Sequence, residues 1–121
     1  MLYITKKTTD KNSKSTKLPK ASLKESAIQK QILDYLTIKK IFHYKNNNVG
    51  IYVQKTGSYI PSQSLGAPDI VCVRDGMYIG IEVKRPGGKL SPHQEVFRDN
   101  LQRAGGVYIV VYSLDDVINN I

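Results

Sequence analysis

The stretch GAPDIVCVRDGMYIGIEVK, residues 66–84, decides the fold of this chain. Two apolar runs flank the dipeptide Asp75-Gly76, and an Asp-Gly pair in that setting favours a tight turn between antiparallel strands. The stretch therefore predicts a β-hairpin with strands over residues 69–73 and 77–84. Pairing of the two strands makes neighbours of residues that are far apart in the sequence.

The charged residues of this hairpin are expected to converge on one face. Glu82 and Lys84 are two positions apart on the second strand, so their side chains point the same way, with Cα atoms about 7 Å apart. Asp69 begins the first strand directly after Pro68, and the turn folds it back towards Glu82. Gly80 lies on the same face and is expected to leave room for a substrate.

Two neighbouring carboxylates repel each other unless a cation lies between them. Asp69 and Glu82 therefore predict a site for Mg²⁺ or Mn²⁺, which are hard ions that take oxygen ligands and keep several waters. A metal ion held in this way can bind a phosphate oxygen and activate a water molecule. Lys84 would orient that water or stabilise charge on the phosphorus. A Glu-x-Lys alone is usually a surface ion pair, but the joint pattern is far more specific.

Hydrophobic periodicity and turn residues predict the rest of the domain. A capping box at residues 22–25 begins a helix whose buried stripe is Ile28, Ile32, Tyr35 and Leu36. Cys72 falls in an apolar strand, on the face opposite Asp69, and is expected in the core. The other elements are strands at 42–44 and 50–55, a loop at 56–68, a helix from Ser91 to Gly105, a strand at 107–112 buried on both faces, and a helical turn at 115–120.

Charge and composition limit the possible functions. The chain has 121 residues, about one domain, with 18 Lys and Arg against 10 Asp and Glu, a formal charge of +8. This excess favours a polyanionic partner, nucleic acid before an anionic membrane surface. Six lysines and one acid lie in the first 20 residues, so residues 1–21 are expected to be a flexible basic arm, whether DNA-binding or merely solvated, and residues 22–121 the domain.

The sequence also argues against several classes of protein. One cysteine excludes an intramolecular disulfide and a Cys-rich zinc site. No apolar stretch approaches the roughly 18 residues of a membrane span, and the first 20 residues lack the apolar segment of a signal peptide. A cytoplasmic protein is therefore expected, neither secreted nor membrane-bound.

The order of these motifs is similar to that of the VRR-NUC family, the virus-type replication and repair nucleases of the PD-(D/E)xK superfamily. The resemblance covers residues 25–117 and includes the segments GAPDI, GIEVK, GKLSPHQ and GGV. It implies a restriction-endonuclease-like α/β fold, a mixed central sheet flanked by helices in the order αβββαβ. The matching functional positions are the metal ligands Asp69, Glu82 and the Val83 carbonyl, the catalytic lysine Lys84, and the accessory residues Glu25 and Gln94.

Two of these positions have a second explanation. Glu25 and Gln94 are each predicted at the third position of a helix that begins with serine, where the side chain can cap the helix. Glu25 also precedes Ile28 and Ile32 on the inward stripe, which favours a role beside the metal. Phosphate contacts are expected from residues on the loops and strand ends around the site, namely Lys45, Lys55, Tyr59, Arg85 and Lys89.

The resemblance implies a metal-dependent endodeoxyribonuclease that acts on branched double-stranded DNA in a bacterial or phage-infected cell. Small stand-alone members resemble Holliday-junction resolvases that act as homodimers, whereas larger relatives act as monomers on flap-like repair intermediates. A nickase or flap endonuclease on replication intermediates is therefore the alternative within enzymes. A non-catalytic basic DNA-binding module and, more weakly, an RNA-binding protein are the alternatives outside them. The set of Asp69, Glu82 and Lys84 argues against both, because phosphate binding alone has no use for clustered carboxylates.

Overall fold

The computed structural model describes residues 23–46, 51–60 and 65–121, so the predicted basic arm lies outside the described residues. No helix in these ranges is long and apolar enough to cross a membrane. The elements in chain order are α1 (Glu25–Ile38), β1 (Phe42–Lys45), β2 (Ile51–Val53), β3 (Ser58–Ile60), β4 (Ile70–Arg74), β5 (Met77–Val83), α2 (Pro92–Arg103), β6 (Val107–Val111) and α3 (Leu114–Asn120).

The predicted hairpin forms the middle of a four-stranded sheet with the order β1-β4-β5-β6. Asp75 and Gly76 make its turn with φ angles of 52° and 79°, the left-handed values that a tight hairpin turn of this sequence requires. Strand β1 adds antiparallel to β4, whereas β6 adds parallel to β5 after the crossover through α2. The sheet is therefore mixed, and with helices packed against it the predicted fold class is confirmed.

The hydrophobic core lies between one face of the sheet and helices α1 and α3. The α1 residues Ile28, Ile32 and Leu36 are buried at the predicted helical spacing, with Tyr35 partly buried beside them. The sheet contributes the side chains that alternate away from Glu82, and the whole cluster includes Ile70, Cys72, Ile79, Ile81, Val83, Val111, Leu114 and Val117. Cys72 is fully buried, as expected of a core residue.

The opposite face of the sheet carries Glu82 and is covered in part by α2. The Phe97 ring of α2 packs 6.2 Å from the ring of Tyr108 on β6. Strand β6 is an edge strand, but Tyr108 and Val111, which point to opposite faces, are both buried. Its apolar sequence therefore reflects cover from α2 on one side and from the core on the other.

Two local predictions are wrong. Helix α1 begins at Glu25 with Lys24 as its N-cap, not at Ser22, which lies outside the described residues, and no described side chain caps this end. Glu25 is the first helical residue, and its carboxylate accepts a backbone N–H from elsewhere in the fold instead. The predicted loop at 56–68 contains strand β3, which pairs with β2 because Gly57 closes a turn, with a φ of 68° and an N–H bond to the Val53 carbonyl.

Candidate active site

Short hydrogen bonds hold Asp69 at the start of β4. Pro68 before it is buried, and the Asn46 side-chain amide donates to the Pro68 carbonyl at 2.8 Å. The Asn46 backbone N–H donates to the Asp69 carbonyl, also at 2.8 Å. Oδ2 of Asp69 accepts the backbone N–H of Val83 at 2.8 Å. The carboxylate of Asp69 therefore lies at the end of β5, next to that of Glu82.

Glu82 is the one buried charged residue in the described part of the chain, with 3% of its surface exposed. Its Oε2 atom accepts a hydrogen bond from Nε2 of Gln94 at 2.8 Å and lies 3.8 Å from Nζ of Lys84. Its Oε1 atom is buried and has no hydrogen-bond partner among the described residues. The protein thus holds Oε2 in place, whereas Oε1 loses its hydrogen bonds to water on burial and gains no protein partner in their place.

It is unfavourable for Asp69 and Glu82 to be ionised at the same time. Burial raises the pKa of Glu82 to about 8, and the Asp69 charge adds to this rise, while the Lys84 ammonium opposes it. Burial also raises the pKa of Asp69, against the lowering effect of the Val83 N–H. The Glu25 charge raises the pKa of both groups. A group of carboxylates that repel in this way is stabilised by a cation placed among them.

Gln94 caps helix α2 and also hydrogen-bonds to Glu82. Ser91 is the N-cap of α2, and its hydroxyl accepts the Gln94 N–H at 3.2 Å, while Oε1 of Gln94 accepts the Ser91 N–H at 2.9 Å. The amide nitrogen of the same side chain remains free to donate to Glu82. Both interpretations of Gln94 are therefore compatible, because the capping bond orients the amide towards the buried carboxylate.

Glu25 lies at the rim of the site, where α1 begins. Its Oε2 atom accepts the backbone N–H of Arg85 at 3.2 Å, so it ties the helix to the residue that follows Lys84. A cleft of about 440 Å³ opens there, lined by Glu25, Lys84, Arg85, Lys89 and the turn at residues 86–88. Three of these side chains are cationic, which suits a cleft that receives phosphate groups.

Gly80 does not leave room for a substrate, and that prediction is wrong. A Cβ atom at Gly80 would lie 2.6 Å from Cγ of Pro68, so the proline ring already fills the space. Gly66 makes a similar close approach, since a Cβ there would lie 2.2 Å from the carbonyl oxygen of His93 at the start of α2. Both glycines therefore let the segment before Asp69 pack tightly against its neighbours.

Tyr108 belongs to the site and was missed by the sequence analysis. It is opposite Gly80 in the sheet, 5% exposed, and its hydroxyl is buried without a hydrogen-bond partner among the described residues. Burial raises the pKa of the phenol, and the charges of Glu82 and Asp69 raise it further, so the hydroxyl stays protonated. The sequence signal was a single tyrosine in the otherwise apolar run 107–111. It alternates with the core-facing positions 107, 109 and 111, so its side chain points away from the core.

The donor set fits a divalent cation that takes oxygen ligands. Within the described ranges, no three side chains of His, Cys, Asp or Glu converge as a ready-made metal cluster. Two carboxylates do meet, however, and the unpartnered Oε1 of Glu82 together with the raised pKa values marks a place where positive charge is needed. Few protein ligands and several waters are what Mg²⁺ prefers.

A family model described as the VRR-NUC domain matches residues 7–115 of the chain. The chain belongs to the VRR-NUC family. The match extends further towards the N-terminus than the motifs named above, and it includes Asp69, Glu82 and Lys84. The chain therefore carries a nuclease domain, a class that binds DNA and depends generally on a divalent metal ion. A search of curated proteins finds no match.

Solved structures support the same fold for this VRR-NUC domain. One, titled "VRR_NUC domain", has a TM-score of 0.58 at 23% identity and covers 79% of this chain and 95% of its own. Another, titled "VRR_NUC domain protein", has a TM-score of 0.62 at 18% identity and covers 81% and 84%, respectively. At these identities the likeness concerns the fold.

The residues predicted to contact phosphate fall into two groups in the VRR-NUC domain. Arg85 and Lys89 line the cleft beside Glu25, and Lys45 ends β1 directly before the loop that holds Asp69. Lys55 and Tyr59 instead lie on the separate β2–β3 pair, where Tyr59 is 62% exposed. Arg85 and Lys89 follow the strand that carries Glu82, and Lys45 pairs with Ile70 on the sheet face opposite Glu82, whereas Lys55 and Tyr59 belong to a different sheet.

Proposed function

We propose that this VRR-NUC domain is a Mg²⁺- or Mn²⁺-dependent endodeoxyribonuclease that hydrolyses phosphodiester bonds in branched DNA. The observation that carries the proposal is the buried pair Asp69 and Glu82, with Gln94 and Lys84 directed at the same carboxylate. A module that only binds phosphate gains nothing from carboxylates in a basic protein, because they repel the phosphates. Carboxylates that hold a divalent cation have a use in such a protein, because the positive charge of the ion attracts the phosphates that the carboxylates alone would repel.

Each residue has a separate task in this proposal. Asp69 and Glu82, with the Val83 carbonyl, would hold the cation, which when bound would polarise the scissile phosphate and lower the pKa of a water molecule. Gln94 keeps Oε2 of Glu82 in place, and the hydrogen bond from the Val83 N–H does the same for Asp69. These bonds fix both carboxylates before any substrate arrives.

Lys84 and Glu25 act around that pair. The Lys84 side chain is 17% exposed, and its ammonium lies 3.8 Å from Glu82, where it neutralises charge that develops on the phosphate oxygens. Glu25 positions the Lys84–Arg85 segment through its bond to the Arg85 N–H. Arg85, Lys89 and Lys45 bind the flanking phosphates.

The branched substrate and a homodimer are the finer parts of the proposal. One such site cuts one strand, so symmetrical resolution of a four-way junction requires two sites held in a fixed relation. Two copies of a 121-residue chain supply them through a self-complementary contact. The formal charge of +8 on each copy favours a substrate with several converging phosphate backbones.

Cleavage of labelled DNA tests the proposal. We expect Mg²⁺ or Mn²⁺, but not EDTA, to support paired symmetrical nicks in a synthetic four-way junction, with little cleavage of plain duplex. Asp69→Asn and Glu82→Gln should abolish cleavage without loss of junction binding, whereas Glu95→Gln, an exposed position on α2, should cleave normally. Binding without cleavage in either metal, unaffected by Asp69→Asn, would show a DNA-binding module instead.

The dimer has its own test. Light scattering at assay concentrations should report twice the monomer mass. Mixed dimers of wild-type and Glu82→Gln subunits should nick only one strand of each junction, since only one of their two sites is active. Cleavage of flaps in preference to junctions by a monomer would favour the flap-endonuclease alternative.

A further inference from the structure

A second basic cleft lies at the end of the sheet remote from the carboxylates. It has a volume of about 610 Å³ and is formed where α1 ends, where β4 turns into β5, and where α3 ends. Lys39, Lys40 and Arg74 line it, and Asp75 is the acidic residue among its lining side chains. The cleft therefore carries an excess of positive charge.

Its lysines are available to a ligand. No carboxylate of the described residues forms an ion pair with Lys39 or Lys40, whereas Arg74 already donates to the backbone oxygen of Ile121. Nζ of Lys39 lies 6.0 Å from the centre of the Tyr35 ring, which keeps the ammonium at the wall of the cleft. Lys40 has a φ of 58°, and this left-handed turn ends α1 and leads the chain back into β1.

Exposed aromatic rings lie next to the cleft on β1, on the sheet face that carries Glu82 and not the face covered by α1. Phe42 lines it and is 66% exposed, and Tyr44 beyond it is 47% exposed. The two rings meet edge to face with their centres 6.3 Å apart, so each supports the other while presenting a free surface. Cations beside exposed rings are the combination by which proteins bind single-stranded nucleic acid without sequence preference.

We propose that this cleft binds an unpaired strand of the DNA substrate. Lys39 and Lys40 neutralise its phosphates, and its bases stack on Phe42 and Tyr44. A purely apolar partner would leave the lysines uncompensated, and an intact duplex keeps its bases inside the stack, out of reach of the rings. The inference rests on the proposed function in one respect, since it adds a single-stranded arm to the branched DNA proposed above, and a fully paired four-way junction would be cut without filling the cleft.

The position of the cleft agrees with a strand that also reaches the nuclease site. Helix α1 runs from Glu25 at that site to Ile38 at the cleft, about 20 Å at 1.5 Å per residue. A stacked strand covers this distance in about six nucleotides, at about 3.4 Å each. A branch with a single-stranded arm of that length can therefore occupy both places at once.

Binding in EDTA tests the proposal without any cleavage. Fluorescence anisotropy would compare a 12-nucleotide oligo-dT, an abasic strand of the same length, and a blunt duplex. Lys39→Gln/Lys40→Gln should weaken oligo-dT binding and reduce the slope of log K against log salt by about 1.4, the value for two lost phosphate contacts. Lys30→Gln/Arg103→Gln removes the same charge from exposed positions elsewhere and should change neither, and duplex binding should change little in either variant.

The aromatic rings are tested separately. Phe42→Ala and Tyr44→Ala should each lower oligo-dT affinity roughly five- to 100-fold and leave abasic-strand affinity unchanged. Both rings are largely exposed, so circular dichroism should show unaltered folding. Equal losses in the lysine pair and its control, or equal affinity for abasic and normal strands, would overturn the proposal. So would conversion of a dimer to a monomer by Phe42→Ala, which would assign the surface to a second copy of the chain.

The outcome is independent of the nuclease activity. If no DNA is cut in Mg²⁺ or Mn²⁺, the anisotropy experiment still reports whether the cleft binds an unpaired strand. If the cleft fails to bind, cleavage of a fully paired junction by the Lys39→Gln/Lys40→Gln variant remains a valid measure of the proposed function.

Discussion

Replacement of Glu82 by glutamine should stabilise the metal-free protein while it destroys the proposed activity. The folded protein raises the pKa of Glu82 from 4.5 to about 8, so it binds this proton more tightly than the unfolded chain does. The stabilising contribution of that proton is complete below pH about 4.5 and is lost as the pH rises through about 8. Glutamine is a neutral mimic of the protonated acid and keeps the contribution at every pH.

The size of the effect follows from the same difference in pKa. At about 1.4 kcal/mol per pKa unit, the rise from 4.5 to about 8 means that ionisation of Glu82 costs the fold on the order of 5 kcal/mol at pH 9. That is a large share of the roughly 5–15 kcal/mol that stabilises a typical domain. At about 4 °C per kcal/mol, Glu82→Gln should melt roughly 15–20 °C above the wild type at pH 8.5, and near it at pH 4.

The assay is urea or thermal unfolding in EDTA from pH 4 to pH 9, on the wild type, Glu82→Gln and the exposed control Glu95→Gln. The control should follow the wild type, and Glu82→Gln should show a flatter curve that retains the pH dependence of Asp69. Addition of Mn²⁺ at pH 8.5 should then stabilise the wild type much more than Glu82→Gln, because the variant lacks one of the two carboxylates proposed to hold the ion. Wild-type stability that does not fall with pH would refute the reasoning, since it would mean that Glu82 ionises without cost.

Three other substitutions separate the tasks of the site. Lys84→Met should slow single-turnover cleavage roughly 100-fold or more and leave the Mn²⁺-induced rise in Tm intact, because the ammonium acts on the phosphate; a lost Tm response would contradict this role. Gly80→Ala should lower the free energy of unfolding by about 1–3 kcal/mol in urea titrations, since its Cβ would overlap Pro68, and an unchanged value would show that the ring moves away freely. Gln94→Ala should cost about 1 kcal/mol of stability through the lost cap and also reduce cleavage, because Glu82 loses its 2.8 Å donor; a variant that loses stability alone would make Gln94 a cap only.

The sequence predicted those parts of the fold that follow from local rules. Alternation along β5, the Asp75-Gly76 turn and the helical stripe on α1 each depend on a short stretch of chain, and all three are present in the structure. The convergence of Asp69 and Glu82 was also predictable, because the turn fixes the strand register. The prediction that α1 begins at Ser22 was wrong, since its N-cap is Lys24, and the bond from the Arg85 N–H to Glu25 is a tertiary contact that the local pattern does not contain.

Two features of the site that escaped prediction depend on contacts between distant segments. The local sequence does not reveal whether the space above Gly80 is open to a substrate or filled by Pro68. Either case requires only that position 80 has no side chain on that face. Tyr108 likewise enters the site only because β6 pairs parallel to β5 and so places the ring opposite Gly80.

Gln94 shows why two explanations of one residue need not compete. A glutamine has an acceptor and two donors, and the cap uses only its oxygen. The donor that remains is directed into the domain because α2 begins beside the end of β5, where Glu82 lies. A glutamate at position 94 could cap the helix equally well, but it would add a further negative charge beside Asp69 and Glu82. An amide at position 94 is therefore what the neighbouring carboxylates favour. The sequence alone does not show this reason, because it does not reveal that the start of α2 meets the end of β5.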